Sequence, residues 1–152
     1  MRFVLWFVTC LLLLVAQDAL AATRVYFEGP VHAGVGGVFS LTVLVDSDEL
    51  LNAYQVEVRY PHQQLELVGF RDSQSLIGLW QDRPKVPGEG AAAFGGGSFA
   101  GFKGKGGELL TLYFQGKVEG FAEISFGNTA FYRADGQGTE VRPDTRDFVL
   151  TV

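Results

Sequence analysis

The stretch AYQVEVRYPHQQLELVGF, Ala53 to Phe70, holds two strand signals and the turn between them. Tyr54, Val56, Val58 and Tyr60 alternate with Gln55, Glu57 and Arg59, the period-two pattern of a strand with one face buried and one in water. Pro61 has no N–H to give to a ladder and ends that strand. His62, Gln63 and Gln64 form a polar bend, after which Leu65, Leu67, Val68 and Phe70 make a second, more apolar run.

The same alternation recurs on both sides of this stretch. Val25 and Phe27 alternate within Arg24 to Glu28, and Phe39, Leu41, Val43 and Val45 alternate with Ser40, Thr42, Leu44 and Asp46 before a turn at Asp46 to Glu49. Downstream, Ala91, Ala93 and Phe94 give a weak strand. Leu110, Leu112 and Phe114 share one face, with Leu109, Thr111 and Tyr113 on the other, so this strand is expected to be central. Ala122, Ile124 and Phe126, then Ala130 to Tyr132, then Phe148, Leu150 and Val152 complete the series. About nine short strands with a turn every eight to twelve residues is the cadence of a two-sheet antiparallel β-sandwich. The 13 Phe, 5 Tyr and 20 Gly among 152 residues agree, since aromatics favour strands and glycines favour turns. Two stretches depart from this pattern. Asp72 or Ser73 is placed to cap a short helix carrying Leu76, Ile77 and Trp80 on one face, and Gly95 to Gly107 reads as a glycine-rich loop pinned by Phe99 and Phe102.

The first 21 residues have the form of a secretory signal. Arg2 is followed by an apolar core from Phe3 to Ala16 and by Ala19-Leu20-Ala21 before the expected cleavage point, leaving residues 22–152 as one domain. Cys10, the only cysteine, falls inside this leader, so the mature chain is expected to have none. A cysteine-free exported domain points to a bacterial secreted or cell-surface protein. The net charge of −5 survives removal of Arg2 and Asp18 together, and a mildly acidic chain without a basic stripe is not expected to bind nucleic acid. No second apolar run of membrane length follows, so no stable membrane anchor is expected after cleavage.

Five segments, in order, carry a family likeness. Gly37 with Val38-Phe39-Ser40-Leu41-Thr42-Val43 resembles the opening Gly-x-x-Phe strand of cohesin domains, and Val56 to Pro61 with Leu65-Glu66-Leu67 resembles their Tyr-Asp-Pro-x-x-Leu-Glu signature. Gly101-Phe102 with Gly107 to Phe114, then Gly120 to Phe126, then Asp135-Gly136 resemble later strands and a turn of the same family. The resemblance implies a secreted jelly-roll sandwich, related to carbohydrate-binding modules, that docks a protein partner such as a calcium-binding dockerin on one sheet face. The matching outward positions are Ala53, Gln55, Glu57 and Arg59. The type I dockerin-binding pattern has Asn and Asp where this chain has Ala53 and Gln55, and Pro61 follows Tyr60 without the intervening Asp.

No residue set points to catalysis, so the chain is expected not to be an enzyme and to need no cofactor. The mature chain offers no nucleophile motif and no paired histidines; His32 and His62 stand alone in turns, and nothing selects a working pair among Glu57, Glu66, Asp82 and Glu108. Asp135 to Glu140 lacks the alternating acidic positions of a calcium loop and reads as a plain turn, so no metal site is expected. Two binding readings remain. A protein partner would use the mixed-charge row Ala53, Gln55, Glu57 and Arg59; a glycan would use Trp80, Phe99 and Phe102, although Trp80 also suits a plug at one end of the sandwich.

Overall fold

The computed structural model describes residues 23–152, so the expected leader and Cys10 lie outside the described residues. Ten strands carry the fold: β1 (Arg24–Glu28), β2 (Val38–Arg59), β3 (Leu65–Arg71), β4 (Leu79–Asp82), β5 (Ala91–Gly116), β6 (Phe121–Phe126), β7 (Ala130–Arg133), β8 (Glu140–Val141), β9 (Asp144–Arg146) and β10 (Phe148–Thr151). No helix occurs among the described residues.

The fold is built on two long strands. β2 has 22 residues and β5 has 26, and they pair antiparallel from Val38↔Gln115 to Arg59↔Ala91. Each runs through both sheets of the sandwich. The register slips where they turn the corner: Ala53↔Gly97 is followed by Leu51↔Phe102, so Ser98 to Gly101 bulge out of β5, and Asp48 to Leu50 bulge out of β2 before Ser47↔Gly104. Such bulges bend a strand without ending it. Gly101 sits at φ 70°, where a side chain would strain the backbone.

The first sheet runs β9-β1-β2-β5-β3, using the N-terminal half of β2 and the C-terminal half of β5, with β9 parallel to β1. In the second, the N-terminal half of β5 lies between β4 and the C-terminal half of β2, whose other edge takes β6 and β7 in turn. β10 and β8 extend that sheet beyond β6 and β7. One core joins the two sheets. Leu41, Val43, Leu110 and Leu112 from the first meet Val56, Val58, Phe94, Ile124 and Phe131 from the second, all buried. Phe27 stacks on Phe126 with centroids 4.2 Å apart, and Tyr60 meets Phe114 edge-on at 5.0 Å. A fully buried Leu or Phe contributes about 1.5–3 kcal/mol, so this alternation supplies most of the drive to fold.

The antiparallel jelly-roll sandwich is as the sequence predicts, with three local corrections. The expected helix after Asp72 is absent, because its backbone hydrogen bonds go to β5 instead. The Leu76 N–H donates to the Glu108 carbonyl at 2.8 Å, the Gly78 N–H to Gly97 at 3.0 Å, and Ser75 Oγ donates to the Leu109 carbonyl while accepting from the Ile77 N–H. A side chain that binds nearby backbone this way competes with helix formation. The expected loop from Gly95 to Gly107 is strand, bulged and glycine-rich because neighbouring backbone approaches it on both sides. The expected turn at Asp46 to Glu49 lies within continuous β2, whose bulge does the bending.

Candidate functional site

The C-terminal half of β2 buries Tyr54, Val56 and Val58 and turns Ala53, Gln55, Glu57 and Arg59 outward. Burial pushes the Tyr54 phenol up to about 12, and its hydroxyl donates to the Leu51 carbonyl at 3.3 Å, so the face rests on a neutral, fixed layer. The four outward residues therefore stand in one row, as their spacing predicts.

Beside that row lies a floor almost without side chains. Gly97, Gly95, Ala93 and Ala91 of β5 stand in register with Ala53, Gln55, Glu57 and Arg59. A Cβ on Gly95 would come within 2.6 Å of the Tyr54 carbonyl oxygen, so glycine there reflects close backbone contact. The sequence does carry this floor, in the alternation of Ala91, Ala93, Gly95 and Gly97 with Ala92 and Phe94, but small residues give a faint hydrophobic period. On the other side, Tyr132 faces Ala53, Ala130 faces Gln55 and Ser125 faces Arg59.

Glu57 and Arg59 are paired with each other. Arg59 Nε donates to Glu57 Oε1 at 2.6 Å, the Asn128 N–H donates to Oε2 at 3.2 Å, and the Gly127 N–H donates to the Glu57 carbonyl at 2.7 Å. The Arg59 hydrogen bond, aided by the Asn128 N–H, holds the Glu57 carboxyl below its ordinary range. The row is thus locally neutral, and among the described residues the Gln55 side chain makes no hydrogen bond.

Exposed apolar groups bound the face at both ends. At the bulged corner stand Leu79 (55% exposed), Phe99 (79%) and Leu50 (48%), with the Phe99 ring against Gly78 and Leu50 against Gly101. At the far end Phe121 (79% exposed) projects from β6, next to a shallow hollow of about 380 Å³ lined by Arg59, Gln64 and Glu123. The three aromatics of the glycan reading are not equivalent. Trp80 packs against the core with the Arg83 guanidinium 5.0 Å from its ring centre, Phe102 is half-buried against the core, and only Phe99 projects into solvent.

Among the described residues, no group of three or more His, Cys, Asp or Glu is placed to hold a metal. Both Asp135 carboxylate oxygens serve the turn, accepting the Gln137 N–H at 2.9 Å and the Thr139 hydroxyl, and these bonds hold its carboxyl below the ordinary range. His62 is exposed in the turn after Pro61, whereas His32, expected in a turn, is exposed in an isolated parallel bridge to Thr151.

The structure is thus a jelly-roll sandwich with one open, side-chain-poor sheet face. Among solved structures, the chain has the cohesin fold. A non-cellulosomal cohesin from the hyperthermophilic archaeon Archaeoglobus fulgidus superposes with a TM-score of 0.71 at 19% identity, covering 86% of this chain and 91% of that one. The cohesin of the Coh-OlpC–Doc435 type I cohesin–dockerin complex from Clostridium thermocellum gives 0.71 at 14% identity, over 90% and 96%. A cohesin module from a Clostridium perfringens family 33 glycoside hydrolase gives 0.68 at 8% identity, over 86% and 96%. No protein-family model and no curated protein matches the sequence.

Proposed function

We propose that this chain is a secreted, non-catalytic docking module that holds a protein partner on the open face of its second sheet. The observation that carries this is the floor of Ala91, Ala93, Gly95 and Gly97 beside the outward row of β2, bounded at both ends by exposed Leu79, Phe99 and Phe121. A flat centre lets a rigid partner surface approach closely, and apolar groups at the margins supply area to bury. The cohesin fold supports the reading, since the Clostridium thermocellum neighbour was solved with a dockerin on it. Export rests on the leader-like N-terminus. Ala53 and Gln55 replace the acceptors of the type I pattern, so the partner is a protein whose contacts there are apolar or amide-like. The glycan reading through Trp80, Phe99 and Phe102 has less support, because a stacking platform needs rings open to solvent and two of these pack inward.

Substituting Ala93→Arg places a long charge on the floor at an exposed position where nothing must move to fold around it. Immobilised wild-type protein is expected to retain a partner from the native secretome or from a panel of calcium-loaded dockerins. Ala93→Arg is expected to weaken retention at least about tenfold with an unchanged melting temperature, and Ser40→Arg on the other sheet to leave it intact. Equal retention by wild type and Ala93→Arg, or none by wild type, overturns the proposal.

A further inference from the structure

We propose that the hollow on the outer face of the first sheet binds a neutral sugar ring. Three strands bring two rows of side chains together there. One row, across β9, β1 and β2, is Asp144, Arg24 and Asp46; the next is Arg146, Tyr26 and Leu44. The hollow there is about 460 Å³, within the range of small-ligand sites, and is lined by Arg24, Tyr26, Asp46, Asp144, Thr145 and Arg146.

The first row is polar and partly fixed in advance. Asp46 accepts from Arg24 Nη2 at 3.2 Å, from Tyr26 Oη at 3.2 Å and from the Gly106 N–H at 2.8 Å, so this wall loses little freedom when a ligand arrives. Among the described residues neither Asp144 nor Arg146 has an ion-pair partner, which leaves a carboxylate acceptor and a guanidinium donor on the same short strand. The second row is less polar. Its apolar surface is the half-exposed Tyr26 ring, whose hydroxyl is already committed to Asp46.

A hexopyranose has the matching character: hydroxyls around its rim that both donate and accept, and a C–H face that packs on an aromatic ring. Two guanidiniums against two carboxylates leave the hollow without net charge. With guanidiniums and carboxylates in equal number, an acidic sugar or a phosphate gains no net attraction to offset its desolvation, which favours a neutral ligand. This site lies on the opposite sheet from the docking face, so the two can be occupied and tested separately.

The test is an amide-shift titration of the 15N-labelled protein with cellohexaose, xylohexaose and mannohexaose at millimolar concentration, with trigalacturonate as the acidic comparison. Neutral sugars are expected to shift amides of residues 24–28, 44–46 and 144–146. Tyr26→Ala and Arg146→Ala should each weaken the response about tenfold, and Ala93→Arg should leave it unchanged. Arg146 takes part in no side-chain hydrogen bond among the described residues, so its loss leaves the fold's own bonds in place. The proposal is overturned if none of the three neutral sugars moves these amides, if the shifts survive Arg146→Ala or vanish in Ala93→Arg, or if trigalacturonate alone binds.

Discussion

Glu57 accepts from Arg59 and from the Asn128 N–H, while its own carbonyl accepts from Gly127, so one residue of the outward row also ties β2 to the β6–β7 turn. Its carboxyl is held below the ordinary value, with Arg59 as the main cause, and Glu49 is held low in the same way by its two-pronged pair with Arg133, at 2.6 Å for each contact. A carboxyl whose folded pKa lies below its unfolded one, about 4.3, adds stability that is complete above that value. That stability disappears as pH falls through the depressed folded value. The Arg59 side chain is well exposed, so its pair with Glu57 contributes on the scale of about 0.2–1 kcal/mol. The melting temperature of wild type should therefore fall as pH drops from 5 to 3, and Glu57→Gln should fall less while starting lower at pH 7. An equal fall in both proteins would show that Glu57 is not one of the groups responsible. The residue pattern correctly placed Glu57 and Arg59 outward, but their mutual neutralisation depends on Gly127 leaving room: a Cβ there would come within 2.6 Å of Glu57 Cδ and 2.7 Å of Arg59 Nε. Nothing in a period-two pattern records that contact.

At the scale of elements, the strands with large side chains were legible and those with small ones were not. Leu110, Leu112 and Phe114 announce the second half of β5 because each alternate residue is large and buried. Its first half is built from alanine and glycine, so the sequence reads there as weak strand and loop. Gly95 and Gly96 are forced by close backbone of β2 and β4, at the Tyr54 and Leu79 carbonyls, which local spacing does not reveal. The segment after Asp72 fails as a helix for a related reason: β5 offers it carbonyl partners that no local rule anticipates. Gly95 tests this account. Gly95→Ala should push the β2–β5 ladder apart at the Tyr54 carbonyl and cost about 1–3 kcal/mol, read as a drop in chemical-denaturation midpoint. Gly136→Ala gives a contrast, since space around that position is open and only its φ of 71° opposes a side chain. A Gly95→Ala protein as stable as wild type would mean that the backbone there relaxes freely.

Across the whole molecule, the sandwich and the polarity of its two faces follow from alternation, while the way two strands serve both sheets follows from paired bulges at one corner. The ends of the described chain add a feature of another kind. β1 runs parallel to β9, and just beyond it the Ala33 N–H donates to the Thr151 carbonyl at 2.9 Å while the Thr151 N–H donates to Val31 at 3.0 Å, a second parallel contact between early and late chain. Parallel neighbours pulled from opposite ends slide along each other, so tension between residues 23 and 152 loads several hydrogen bonds together instead of opening them singly. A force ramp applied through those positions should accordingly give one abrupt rupture, and a stepwise peeling at low load would count against it. Under the docking proposal, a pull between a partner on the sheet face and one end of the described chain would pass through the domain as through a clamp, which holds firm up to a threshold and fails all at once.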